Sequence, residues 1–126
     1  MIAETRALDS FQNVSLPLHA FTSLYGTPPK QVTVVSHEFK RARFEELHFP
    51  LLKAGEYAGV EFKFTGQDPP YMREGNEEYN AVKAHIVRDL ERKNGFEMWL
   101  RDLKGEGGEV VGKRRVRDGW GVQFPL

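Results

Sequence analysis

The side chains best suited to hold an anion follow directly on a short apolar run. Gln31-Val32-Thr33-Val34-Val35 leads into Ser36-His37-Glu38, with Lys40 and Arg43 just beyond. Ser36 can donate to a ligand, and His37 can act as acid, base or donor. Lys40 or Arg43 can pair with a phosphate or carboxylate. A helix opening at Glu38 would add free backbone N–H groups that favour negative charge. The same residues also have a plainer reading. Ser36 then caps the helix, His37 is a turn residue, Glu38 complements the helix dipole, and the cations form a solvated face. On spacing alone the plainer reading carries more weight.

Other constellations are weaker. His19, His37, His48 and His85 are scattered, with no HExxH or comparable pair, so no metal site is expected. His48 and His85 read as surface or half-buried helix residues. Asp68 could hold a ribose hydroxyl or a metal, but before Pro69-Pro70 it is first a turn former. Gly105-Glu106-Gly107-Gly108 lacks the Gly-Lys-Ser/Thr of a phosphate loop and reads as a linker. Lys113-Arg114-Arg115-Val116-Arg117 with Trp120 could track a phosphate backbone and stack a base, but a solvated tail is the commoner meaning. The absence of cysteine excludes disulfides, Cys-ligated zinc and thiol catalysis. Nothing here names a cofactor or a catalytic residue.

The elements that must carry these residues are legible in the hydrophobic periods. Asp9-Ser10-Phe11-Gln12 looks like a helix start, with Asp9 accepting from the third residue on and Gln12 reaching back. Phe11, Val14, Leu18, Phe21 and Leu24 give one helical face, Pro17 should kink it, and Gly26 can end it. Residues 31–36 read as a strand covered on both faces, as in a parallel sheet. A helix over about 38–53 follows, distorted near Pro50 and closed by Lys53-Ala54-Gly55. Residues 59–65 alternate apolar and polar and suit an edge strand. Residues 77–93 read as a helix with Tyr79, Val82, Ile86 and Leu90 on one side, stopped by Asn94-Gly95. A short helix over 96–103 and a flexible Gly-rich, basic tail over 104–126 complete the chain.

Strand, helix and strand make a βαβ crossover. Two parallel strands do not make a stable sheet alone. Residues 1–25 read as helix and supply no neighbour, so amino-terminal strands are expected to be missing or supplied by a partner.

The chain has 126 residues, enough for one ordinary domain. Its nine Phe, four Tyr and two Trp need burying, which argues against disorder throughout. Lys plus Arg and Asp plus Glu number 18 each, so no global field draws it to nucleic acid or an anionic membrane. The amino terminus has no signal-like apolar run, and no stretch approaches a membrane span. A cytoplasmic location is the expectation, and the sequon Asn13-Val14-Ser15 is read as chance.

Ser10 and Asn13 in the first helix, with Ser36, Phe39 and Arg43 at the strand–helix junction, resemble the paired signature of the YdcF/SanA/ElyC-like domain of unknown function. Phe39 to His48, Gly66 with Asp68-Pro69-Pro70, and Asn80-Ala81-Val82-Lys83 are similar to a fungal branch of that family. The resemblance covers about residues 3–83, and residues 1–103 would be the carboxy-terminal part of such a domain. It implies an α/β Rossmann-like parallel sheet with flanking helices, here incomplete. It also implies a nucleotide-like or other anionic ligand near Ser36 and Asn13. Two departures stand out: His37 replaces a small residue, and Lys40 stands where bacterial members often carry His. The family's Gly-rich upstream half has no counterpart, which would leave little activity.

The ligand-binding residues expected are therefore Ser10, Asn13, Ser36, His37, Lys40, Arg43 and Asp68. The leading expectation is an anion-binding domain. One alternative is part of an enzyme acting on a phosphorylated or nucleotide-like substrate, with Ser36, His37 and Arg43 as donors and Asn13 orienting them. Another is an interaction fragment that completes its sheet with another chain, self-associating through an exposed edge. All rest on residues 32–35 lying parallel to residues 60–64.

Overall fold

The computed structural model describes residues 3–118. The first helix, α1 (Gln12–Tyr25), starts as its sequence dictates. The Gln12 N–H donates to Asp9 Oδ1 at 2.8 Å, and the Leu8 N–H donates to Gln12 Oε1 at 2.9 Å. Those bonds satisfy donors that a bare helix end would leave open. Gly26 ends the helix at φ 75°, its N–H reaching the Thr22 carbonyl at 2.8 Å. Pro17 lies inside the helix and deprives the Asn13 carbonyl of its usual partner.

The chain then enters β1 (Gln31–Ser36), which pairs in parallel with β2 (Glu61–Gly66) from Gln31 opposite Glu61 to Ser36 opposite Gly66. The parallel arrangement of 32–35 and 60–64 is as the sequence implied. The structure is thus mixed helix and strand, with a two-stranded parallel sheet and flanking helices.

Between the strands the crossover helix is wound unevenly. A 3₁₀ turn at Glu38–Lys40 leads to a π-helical segment, Arg43–His48, and then α2 (Phe49–Lys53). Pro50 explains the widening: it offers no N–H and would clash with the carbonyl four residues back, and a π turn relieves both problems.

One face of the sheet makes the first core. Val32, Val34, Phe62 and Phe64 point toward Val14 and Leu18 of α1 and toward Phe44, Phe49, Leu52, Tyr57 and Val60. The other face is open, contrary to the reading of β1 as covered on both sides. Val35 is 78% exposed, and Gln31, Thr33, Glu61, Lys63 and Thr65 share that face. A run of β-branched residues marks a strand but does not show how many layers cover it.

The Lys30 and Ser36 carbonyls accept from Glu61 and Gln67 of the β2 side. By the alternation of a parallel ladder, residues 31, 33 and 35 aim their backbone groups away from β2. Among the described residues no strand receives them.

The carboxy-terminal half departs further from expectation. Asn80 caps α3 (Ala81–Glu91), its Oδ1 accepting from the Lys83 N–H at 3.0 Å. Asn94-Gly95 does not stop the helix. A π-helical segment, Arg92–Phe96, carries it into α4 (Glu97–Arg101). The Val82, Ile86 and Leu90 stripe faces outward, and Ala84 is the buried residue of α3.

The supposed linker is an ordered turn. Asp102 accepts from the Glu106 and Gly107 N–H groups at 3.1 and 2.8 Å, and Gly105 is buried at φ 66° beneath Trp99 and Arg114. The basic run is not a free tail either. It forms α5 (Gly108–Arg117), which buries Val110 in a second core with Leu47, Met98 and Trp99. Arg114 is buried with it, pairing with Asp9 and donating to the Gly105 carbonyl at 2.7 Å. Composition hid this docking because the anchor, Asp9, lies 105 residues away. Trp120 and Phe124 lie outside the described residues.

Candidate functional site

Arg43 is the hub of the polar groups near α1. It projects from the π-helical part of the crossover helix and forms a two-pronged ion pair with Glu91, including Nε to Oε1 at 2.7 Å. Its Nη1 donates to Ser10 Oγ at 3.2 Å. Gly95 lies beneath this pair. A β-carbon there would overlap the Arg43 guanidinium and the Glu91 carboxylate. The π-helical part of the crossover helix thus meets the last residue of α3 at one ion pair, and the glycine of the following π-helical segment admits it.

Ser10 also lies 2.8 Å from His48 Nε2. His48 is fully buried, which corrects its expected surface or half-buried position. Phe11, Phe44 and Trp99 surround it, the last two edge-on at 5.3 and 4.7 Å between ring centroids. Among the described residues its Nδ1 has no hydrogen-bond partner. Burial, with the Arg43 charge adding to it, pushes the His48 pKa down to about 3, so the ring is neutral at physiological pH. No carboxylate orients it as in a catalytic triad. The pair positions Ser10 without making it a strong nucleophile.

The remaining expected residues distribute around this hub. Asn13, one turn beyond Ser10, and Ser36 line a groove of about 610 Å³ between α1 and β1. Its walls are mainly Val14, Leu18, Phe21, Val32 and Val34. Asn13 Nδ2 donates to the Asp9 carbonyl at 3.0 Å.

Lys40 is half-buried and makes no ion pair among the described residues; its Nζ stands 5.9 Å from the centre of the Phe39 ring. Burial lowers its pKa, Arg43 and Arg117 push the same way, and Glu91 opposes them. His37 is exposed and packs edge-on against Phe39 at 5.2 Å, apart from the Ser10 cluster.

Asp68 does not face that cluster. Its Oδ1 accepts from the Phe39 N–H at 2.9 Å, and Arg88 stands 3.8 Å from its other oxygen. The N–H expected to greet an anion is thus already held by a protein carboxylate, and Asp68 rather than Ser36 performs the capping. Among the described residues no group of three or more His, Asp or Glu side chains is clustered as metal ligands would be.

Sequence reasoning missed His48, Glu91 and Gly95. A glycine within a helix-length stretch was a signal for close approach. Nothing in the spacing tied Glu91 to Arg43, 48 residues earlier.

His48 sets a pH dependence. Its folded pKa lies below the unfolded value of about 6.5, so the unfolded chain binds the proton more readily. Stability is then fully present above about pH 6.5 and falls as the pH drops toward 3. Between pH 7.5 and 5 the protein is expected to lose about 2 kcal/mol of unfolding free energy that a His48→Phe variant keeps. Denaturant titrations of both proteins at the two pH values check this, and equal losses would contradict it.

No helix among the described residues is long and apolar enough to cross a membrane. No family model matches the chain, and no solved structure matches it. It is similar to an uncharacterised protein of Saccharomyces cerevisiae, YOR238W, at 24% identity over 115 residues, covering 91% of this chain and 37% of that protein. The chain therefore spans little more than a third of the length of this curated relative.

Proposed function

We propose that this chain is a binding domain for a nucleotide-like or other anionic small molecule, with a Rossmann-like, YdcF-like layout and a ligand at the carboxyl end of β1. The observation that carries this reading is the joining of Ser10 to Arg43, beside a groove on which Asn13 and Ser36 both open. In parallel α/β sheets this end of the strands is the usual ligand position. The groove has an apolar body with the polar side chains of Asn13, Gln31, Thr33 and Ser36 on its lining, which suits a ligand with a flat apolar portion and hydrogen-bonding groups. Binding is favoured over catalysis because His48, the one base against Ser10, is neutral, buried and unoriented.

Thermal melts with a panel of nucleotides and sugar phosphates test the proposal. A ligand at about a hundred times its Kd is expected to add about 2.7 kcal/mol of stability. Asn13→Asp places a negative charge at the groove mouth while keeping the residue's size, and should shrink that gain. If no member of the panel raises the melting temperature, the proposal fails.

A second reading has its own support. The outward backbone groups of Gln31, Thr33 and Val35 form an edge without charge, proline or bulge, the devices that normally block strand addition. The domain would then complete its sheet with a strand from another chain, a second copy being the simplest. Because the chain has no cysteine, Thr33→Cys gives a clean reporter. Disulfide-linked dimers under mild oxidation are expected, and a chain that stays monomeric at all concentrations would contradict pairing.

A further inference from the structure

We propose that the small cavity between α5 and the Arg43 hub is a binding site for a single oxyanion, of the phosphate class, gripped by Arg43, Lys113 and Arg117 with Lys40 beside them. This goes beyond the groove reading: the cavity and the groove have no lining residue in common.

The cavity holds about 50 Å³ and is bounded by Asp9, Arg43, Asn94, Lys113 and Arg117, with Trp99 closing its apolar side. A single water needs about 10–15 Å³ of such space, so the cavity admits one compact group such as a tetrahedral oxyanion.

The charges around it do not cancel. Glu91 is committed to Arg43, and Asp9 to Arg114. Lys113 holds the Asn94 carbonyl at 3.2 Å, and Arg117 holds the Leu8 carbonyl at 2.8 Å. Backbone carbonyls orient these cations without neutralising them. Lys40, Lys113 and Arg117 therefore have no carboxylate partner among the described residues, in a chain whose acids and bases balance at 18 each.

The carboxyl end of α5 attracts cations to its last turn, which accounts for part of this. It does not account for Lys40, which comes from another element, is half-buried and, though outside the cavity's lining, lies close enough to Arg43 and Arg117 for their charges to help lower its pKa. Lys40 and Lys113 are half-buried, where like charges at close range are costly unless an anion joins them, while Arg117 is exposed at the rim. A planar guanidinium fork with ammonium point charges around it matches a tetrahedral oxyanion.

Inorganic phosphate, titrated calorimetrically into the full chain at constant ionic strength with chloride as control, is the probe. Phosphate is expected to bind and raise the melting temperature. Lys40→Ala and Arg117→Ala, neither part of a salt bridge, should each weaken binding by about tenfold. Lys113→Ala serves as a further variant should either of these lose its cooperative melt. Phosphate bound equally by the wild type and a Lys40→Ala/Arg117→Ala double variant would overturn the site, as would no binding up to about 10 mM.

The two readings fail separately. Nucleotides that bind no better than phosphate would leave the cavity and remove the groove. Phosphate bound equally by the double variant, with nucleotides still bound more tightly than phosphate, would leave the groove and remove the cavity.

Discussion

The Arg43–Glu91 ion pair is the junction on which the rest of the molecule depends. Both side chains are largely withdrawn from water, at 14% and 10% exposure. Removing one partner of such a pair typically costs about 3–5 kcal/mol, because the other is left charged and buried. The pair joins the crossover helix of the βαβ unit to the α3–α4 rod, and through Ser10 it reaches the start of α1. Gly95, in the π-helical segment that follows α3, permits the approach, and the other π-helical segment carries Arg43. Such widenings recur at functional sites because they aim a side chain where regular winding would not.

A second electrostatic tie works at longer range. Asp9 caps α1 with one carboxylate oxygen and holds Arg114 of α5 with the other. The two ends of the described chain are thereby fixed beside the same hub, and the cations of α5 are brought to Arg43. The sheet is the complementary weakness: two strands, one covered face and an open edge. The molecule is well tied on the side where α5 meets the hub and open along β1. The binding proposals draw on the first property and the pairing proposal on the second.

What could be read from the sequence follows the range of the interactions. The α1 cap, the Gly26 terminus, both strands and their parallel relation were legible because each depends on neighbours or on a short period. Ser10, Asn13, Ser36 and Arg43 were singled out as candidates, and the structure joins Ser10 to Arg43 and places Asn13 and Ser36 along one groove. The burial of His48, the role of Glu91 and the docking of α5 were not legible. Each depends on partners dozens of residues away, and a polar residue looks the same in a sequence whether it is solvated or paired. Asp68 was noticed for its chemistry and turned out to satisfy the backbone of the Glu38–Lys40 turn. The α3 stripe shows the opposite error, since periodicity marks an apolar face without saying whether anything covers it.

A double-mutant cycle on Arg43→Met and Glu91→Leu, read by urea unfolding at pH 7, tests the central claim most directly. Each single change should destabilise strongly while the double variant recovers part of the loss, giving a coupling of about 2 kcal/mol or more. Single effects that add to within about 0.5 kcal/mol would show that the two charges act independently and that the hub does not hold the helices together.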